Sequence, residues 1–103
     1  MIKWYRELYL DDKVKKHKYK CMYSLEAGKL TMGLYCIAIA SNSENLFDII
    51  NTNELLFQHY KRNVICIVGL AYGKDSAISL VTNIITDMYQ QLGDFDTKSY
   101  FLF

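Results

Sequence analysis

No proline occurs in this sequence of 103 residues, only two histidines and one tryptophan do, and no apolar run approaches the length of a membrane span. The longest apolar stretches, residues 34–40 and 64–72, fall well short of the roughly 20 residues a helix needs to cross a bilayer. The segment MIKWYRELYLDD has no apolar core ahead of a small-residue cleavage site, so a cytoplasmic location is expected. Cysteine is sparse as well. Cys21, Cys36 and Cys66 form neither an even set nor a CxxC pair, which points to reduced thiols rather than a disulfide framework. His17 and His59 stand away from cysteine or carboxylate at metal-binding spacing, so neither a metal site nor a cofactor is expected.

What is present is enough to fold. Half of the residues are hydrophobic and 15% are aromatic, against 22% charged, so the disorder signature is missing and one domain spanning residues 1–103 is expected. The net charge of +1 conceals an asymmetry: residues 1–30 carry eight Lys and Arg against four Asp and Glu, and residues 31–103 carry four against seven. Most of the basic excess lies in KVKKHKYK, where Lys13, Lys16 and Lys20 share one helical face beside His17. The run has lysine but no arginine, which fits a solvated face better than a nucleic-acid surface.

Asp11 and Asp12 offer an N-cap for a helix over 12–27 with Val14, Cys21, Met22 and Leu25 inward and Gly28 as its stop. Alternation of Tyr19, Cys21, Tyr23 and Leu25 leaves a strand over 18–25 as the alternative. LYCIAIA (34–40) and VICIVGLA (64–71) are apolar at nearly every position, as central parallel strands covered on both faces must be. Between them, Ser41, Asn42 and Ser43 can cap a crossover helix packed through Leu46, Phe47, Ile49 and Ile50. Asn51, Thr52 and Asn53 break it before a second helical piece at Leu55–Phe57. A broad stripe from Asp75 or Ser76 to Leu92 predicts a helix ended by Gly93, and SYFLF (99–103) a last short strand. The expected fold is α/β: a single small three-layer domain, α-β-α-β-α-β, with a short, mostly parallel sheet flanked by helices.

The stretch VICIVGLAYGKDSAISLV tests for phosphate chemistry. A Walker loop needs G-x-x-x-x-G-K-[ST], but Gly69 and Gly73 are separated by three residues and Asp75 stands where the hydroxyl residue belongs. The dinucleotide pattern G-x-G-x-x-G is also missing. Gly73 reads as a turn with positive φ, and only Tyr72 and Lys74 lack a structural account. Ligands of open α/β sheets bind outside the carboxyl ends of the strands. Ser41, Asn42, Tyr72, Gly73, Lys74 and Ser76 are therefore the candidate edge for a small anionic or nucleotide-like ligand. No nucleophile elbow or triad order is visible, and Asp94 and Asp96 read as a polar connection rather than a metal pair. Cys36 and Cys66, inside apolar strands, are expected to be inert.

ASNSENLFDI (40–49), VGLAYGKDSAISLVTNIITDMY (68–89) and LGDFDTKSYF (92–101) resemble a family of small uncharacterised bacterial α/β proteins. The shared pattern is A-S-N-x-x-N-L-x-D-I after the first strand and V-G-x-A-x-G-x-x-x-A after the second. The resemblance implies a cytoplasmic protein and brings no activity, cofactor or catalytic residue with it.

Nine tyrosines and five phenylalanines exceed what so small a core readily hides, and exposed aromatics are enriched at interfaces. The expected function is a non-catalytic interaction module that self-associates or binds a protein partner. Its interface candidates are Trp4, Tyr5, Tyr9, Tyr100, Phe101 and Phe103. The other reading is a binder of a small anion at the strand ends, with weak enzymatic activity. If Lys13, Lys16 and Lys20 only solvate their helix, replacing all three by glutamine leaves stability within about 1 kcal/mol in urea titrations. Salt-sensitive nucleic-acid binding that disappears in the triple variant would sink that view.

Overall fold

The computed structural model describes residues 1–42 and 44–102, with the side chains of Gln58 and His59 outside that description. The described chain runs β1 (Ile2–Leu10), α1 (Asp12–Lys15), α2 (Lys18–Glu26), β2 (Leu34–Ile39), β3 (Phe47–Asn51), a 3-10 turn (Thr52–Leu56), α3 (Gln58–Lys61), β4 (Ile65–Tyr72), α4 (Lys74–Leu92) and α5 (Thr97–Tyr100). It is a small mixed α/β fold around one four-stranded sheet of order β1-β4-β2-β3. Among the described residues, no helix is long and apolar enough to cross a membrane.

The two apolar runs are adjacent strands, as their burial on both faces requires, but they are not parallel. β2 pairs antiparallel with both β4 and β3, and only β1 and β4 run parallel, so the sheet is mixed rather than mostly parallel. The expected crossover helix is instead the edge strand β3. Asn42 accepts from the backbone N–H groups of Glu44 and Asn45, and Ala40 N donates to Leu46 O, which turns the chain straight back into a hairpin. Cap residues and turn residues are the same residues, so the pattern fits either outcome. Ser43, read as one of those caps, lies outside the described residues.

Asn51, Thr52 and Asn53 do interrupt the chain, by bonding elsewhere. The Asn51 side chain accepts from Asn53 N, while Asn53 accepts from Thr31 N and donates to Thr31 O, both at 2.8 Å. The segment 12–27 is helical, but in two pieces broken at Lys16–His17, and no strand forms over 18–25. Asp11 caps α1 as expected, its carboxylate accepting from Val14 N. Residues 99–102 do not form the expected last strand: Asp96 caps the single turn α5, and the chain then delivers Phe101 into the core.

α4 starts at Lys74, one or two residues earlier than the expected start at Asp75 or Ser76. Gly73, at φ 91°, is its N-cap with no side-chain bond, and the helix ends at Gly93 in the left-handed region with Gly93 N donating to Tyr89 O. Its buried residues Ala77, Leu80, Ile84 and Met88 fall at helical spacing.

Two core clusters lie on the two faces of the sheet. Leu34, Cys36, Ala38, Ile50, Ile67 and Leu70 meet Val14 of α1 and Cys21 and Leu25 of α2. Ile37, Val68 and Ala71 meet α4 and Phe101. Strand periodicity alone cannot give this partition along β4, where Ile65 and Ile67 but then Leu70 and Tyr72 turn toward the first cluster. The shift occurs where both neighbours lose register. Opposite β2, Ile37 faces Gly69 and Ala38 faces Ile67, skipping Val68. Opposite β1, Trp4 faces Ile67 but pairing resumes only with Tyr9 at Gly69, so an advance of five residues on β1 answers two on β4.

Gly69 sits at the centre of this slip. A Cβ there would lie 3.1 Å from Tyr9 O and 3.3 Å from both Ile37 Cδ1 and Leu80 Cδ2, tighter than ordinary packing. Gly69→Val adds atoms where two strands and a helix already meet, and costs about 1–3 kcal/mol in chemical denaturation. An unchanged midpoint would show that the slip is not a packing constraint.

Candidate binding site

The proposed anion edge divides. Because β2 and β4 are antiparallel, the loop after β2 and the loop after β4 leave opposite ends of the sheet. Ser41 shares a depression with Asn63, Val64, Ile65 and Cys66 at the start of β4, and exposed Asn42 is occupied with its own turn. Tyr72, Gly73, Lys74 and Ser76 stay together at the other end, where Gly73 N donates to Gly33 O. There Asp11 accepts from Tyr72 N at 2.8 Å, so a carboxylate already answers that strand end. The Tyr72 hydroxyl lies 3.4 Å from Cys21 Sγ, and this bond, followed by burial, pushes its phenol up to about 12. Lys13, Lys16 and His17 surround the outer side of Tyr72 in a shallow depression, and Lys74 is exposed.

The expected interface aromatics also separate. Trp4 is half-buried against the first cluster and donates its indole N–H to Glu26 at 2.7 Å. Phe101, only 2% exposed, is core: it sits edge-on to Tyr5, Phe47 and Tyr100. Phe103 lies outside the described residues. The exposed aromatics are others, among them Tyr19, Tyr23, Phe57, Tyr89 and Phe95.

Tyr5, Tyr9 and Tyr100, however, converge. Where the register of β1 on β4 shifts between Trp4 and Tyr9, a cleft of about 690 Å³ lies between β1, α4 and α5. The three tyrosines line it with Glu7, Asn83, Thr86, Asp87 and Gln91, and Lys15 reaches its rim. Inside, the Tyr9 hydroxyl donates to Asp87 Oδ2 at 2.7 Å and lies 2.7 Å from the Tyr100 hydroxyl. A phenol has one proton and a carboxylate only accepts, so the relay has one sense: Tyr100 donates to Tyr9, and Tyr9 donates to Asp87.

Burial, then the bonds to Tyr100 and Asp87, drive the Tyr9 phenol far above its ordinary range. Tyr5 is raised too, by burial and then by the charge of Glu7. These phenols therefore stay protonated near neutral pH and orient a carboxylate. Thr86 donates its hydroxyl to Thr82 O within α4, so it is not poised as a nucleophile. Asp87 is the residue that sequence reasoning missed. It sits between the apolar Ile84, Ile85 and Met88, an interruption of the α4 stripe that was the available signal.

The cysteines differ from one another. Cys21 and Cys36 are buried, but Cys66 is only half-buried, because the register slip comes after it and its strand end opens onto the depression near Ser41. All three are free thiols. His17 is exposed, and no cluster of metal-ligating side chains occurs among the described residues.

Burial pushes the Cys36 thiol up to about 12. The folded chain therefore keeps a proton that the unfolded chain releases near pH 8.5. Stability is fully present below that pH and declines as pH rises toward the folded value. Between pH 8.5 and 10 the unfolding free energy of the wild type falls more steeply than that of Cys36→Ala; parallel slopes would remove Cys36 as the cause. No family model, curated protein or solved structure matches this chain, and the resemblance to small bacterial α/β proteins gains no support from them.

Proposed function

We propose that this protein is a non-catalytic interaction module whose recognition site is the cleft between β1 and α4, and that it docks a cationic side chain of a protein partner there. The observation that carries the reading is the Tyr100–Tyr9–Asp87 relay, which fixes a half-buried carboxylate inside a cleft walled by three phenol rings. Glu7 adds a second carboxylate. The cation at the rim, Lys15, is exposed and lies 3.9 Å from Asp12, so the cleft has a negative balance. Aromatic faces and a carboxylate held without further reorganisation suit a guanidinium or ammonium group, through charge-assisted hydrogen bonds and cation–π contact. The Tyr9 hydroxyl bonds Asp87, but burial holds that phenol in its protonated form, and Thr86 spends its hydroxyl on Thr82 O, which supports binding over catalysis.

A second reading is kept by the basic depression around Tyr72, where Lys13, Lys16 and His17 would meet an anion. One NMR titration separates the two. Acetyl-arginine methylamide, or an arginine-containing peptide, shifts the amides of Tyr9, Asp87 and Tyr100, and Asp87→Asn weakens it at least about tenfold. Inorganic phosphate leaves the cleft unmoved. Shifts confined to Lys13–His17 and Tyr72 with phosphate, and none in the cleft with the arginine probe, would transfer the function to the basic end.

A further inference from the structure

α4 has a third surface that the cleft does not use and that the core shares only at Val81. Its inner face is Ala77, Leu80, Ile84 and Met88, and the flank toward β1 carries Asn83, Asp87 and Gln91 into the cleft. At 100° per residue, Lys74, Ile78, Val81, Ile85, Tyr89 and Leu92 fall on the opposite flank, successive members three or four residues apart. Ile78 is 48% exposed and Tyr89 58%, and Phe95, 45% exposed, stacks on Tyr89 at 5.6 Å and extends the surface past the helix end. Single exposed apolar residues are ordinary, but here half-buried Val81 and Ile85 join Ile78 to Tyr89 in one stripe along a helix about 28 Å long.

The solvent side of the same helix is also nearly free of charge. Between Asp75 and Asp87 lies no charged residue, and none comes after Asp87 before Asp94; the exposed positions are Ser79, Thr82, Asn83, Thr86, Gln90 and Gln91. Lysine, glutamate and aspartate normally occupy such positions, and their depletion marks the centres of interfaces. On this flank the helix begins with Lys74, beside Asp75, and Asp94 and Asp96 follow just beyond its finish, Asp96 also capping α5 ahead of Lys98. Lys74 has no ion-pair partner among the described residues.

We infer that the protein forms a two-fold symmetric dimer in which the Ile78–Val81–Ile85–Tyr89–Leu92 flank of α4 packs antiparallel against the same flank of a second copy. The three-and-four spacing is what interlocking helices require, and a two-fold axis needs one self-complementary surface. The end charges select the direction. A parallel pair sets Lys74 against Lys74 and Asp94 against Asp94, while the antiparallel pair sets each Lys74 beside the other copy's Asp94 and Asp96. The cleft lies on the other flank of α4 and stays open in both copies, so this assembly does not depend on what the cleft binds.

Sedimentation equilibrium of the full chain tests it. The wild type gives a dimer mass that dissociates on dilution, and Ile78→Glu and Tyr89→Glu, at exposed positions that leave the circular dichroism unchanged, give the monomer mass. Lys74→Glu weakens association several-fold, and adding Asp94→Lys to it restores association, a result that no loss of folding imitates. A wild type that stays monomeric at high micromolar concentration overturns the dimer. So does a dimer indifferent to both glutamate variants, or a charge-swapped chain that associates no better than Lys74→Glu alone.

Discussion

The missing side chain of Gly69 is the constraint on which the rest of the arrangement turns. Tyr9 of β1, Ile37 of β2 and Leu80 of α4 all approach the point where a Cβ would stand, so one position in the central strand sets the distance between three elements. The same point is where β4 exchanges its faces, with Val68 skipped on one side and an advance of five residues on β1 answering two on the other. A bulge bends and twists a strand and re-aims the side chains beyond it. Just beyond it Tyr9 faces α4, within reach of Asp87 and Tyr100, while Leu10 is in register opposite Leu70.

Much of this was legible in the sequence, and the failures have definite physical causes. The central strands, α4 with its stop at Gly93, the turn at Gly73 and the cap at Asp11 all arise from patterns that a single segment dictates. Strand direction does not. A strand buried on both faces reads the same whichever way its neighbour runs, so LYCIAIA and VICIVGLA reveal a sheet but not its polarity. That one ambiguity separated Ser41 and Asn42 from Tyr72, Gly73, Lys74 and Ser76. β1 was obscured differently: in IKWYRELYL, Ile2 and Trp4, then Leu8 and Leu10, face one cluster while Tyr5 and Tyr9 face the other, with Arg6 and Glu7 exposed at the slip. The aromatic set near the two ends was recognised as a group, but its described members divide among core, cleft and the opposite sheet face: alternation along β1 puts Trp4 on the other side from Tyr5 and Tyr9, and the turn α5 brings Tyr100 and Phe101 to that second side.

The molecule keeps its surface chemistries apart. Lysine is concentrated on α1 and α2, over one face of the sheet, and the carboxylates and phenols of the cleft lie on the other, beside α4. α4 divides three ways around its circumference: an inner stripe for the core, a polar flank for the cleft, and an apolar flank with an uncharged outer surface. A single helix thus supports the fold and presents two unlike surfaces a quarter to a half turn apart.

The topology also sets an order of events as the chain is made. β2 and β3 are joined by a short hairpin and can pair as soon as both have been synthesised, but β1 has no partner until Ile65–Tyr72 has emerged after it. Until β1 pairs with it, β4 docked on β2 presents the open edge of ICIVGLAY, an uncharged, β-prone sequence of the type that recruits other chains. β1, with Lys3, Arg6 and Glu7 exposed along it, is the cover that converts this edge into a charged one. A strand made before β4 thus closes the edge at which other copies of the nascent protein would pair.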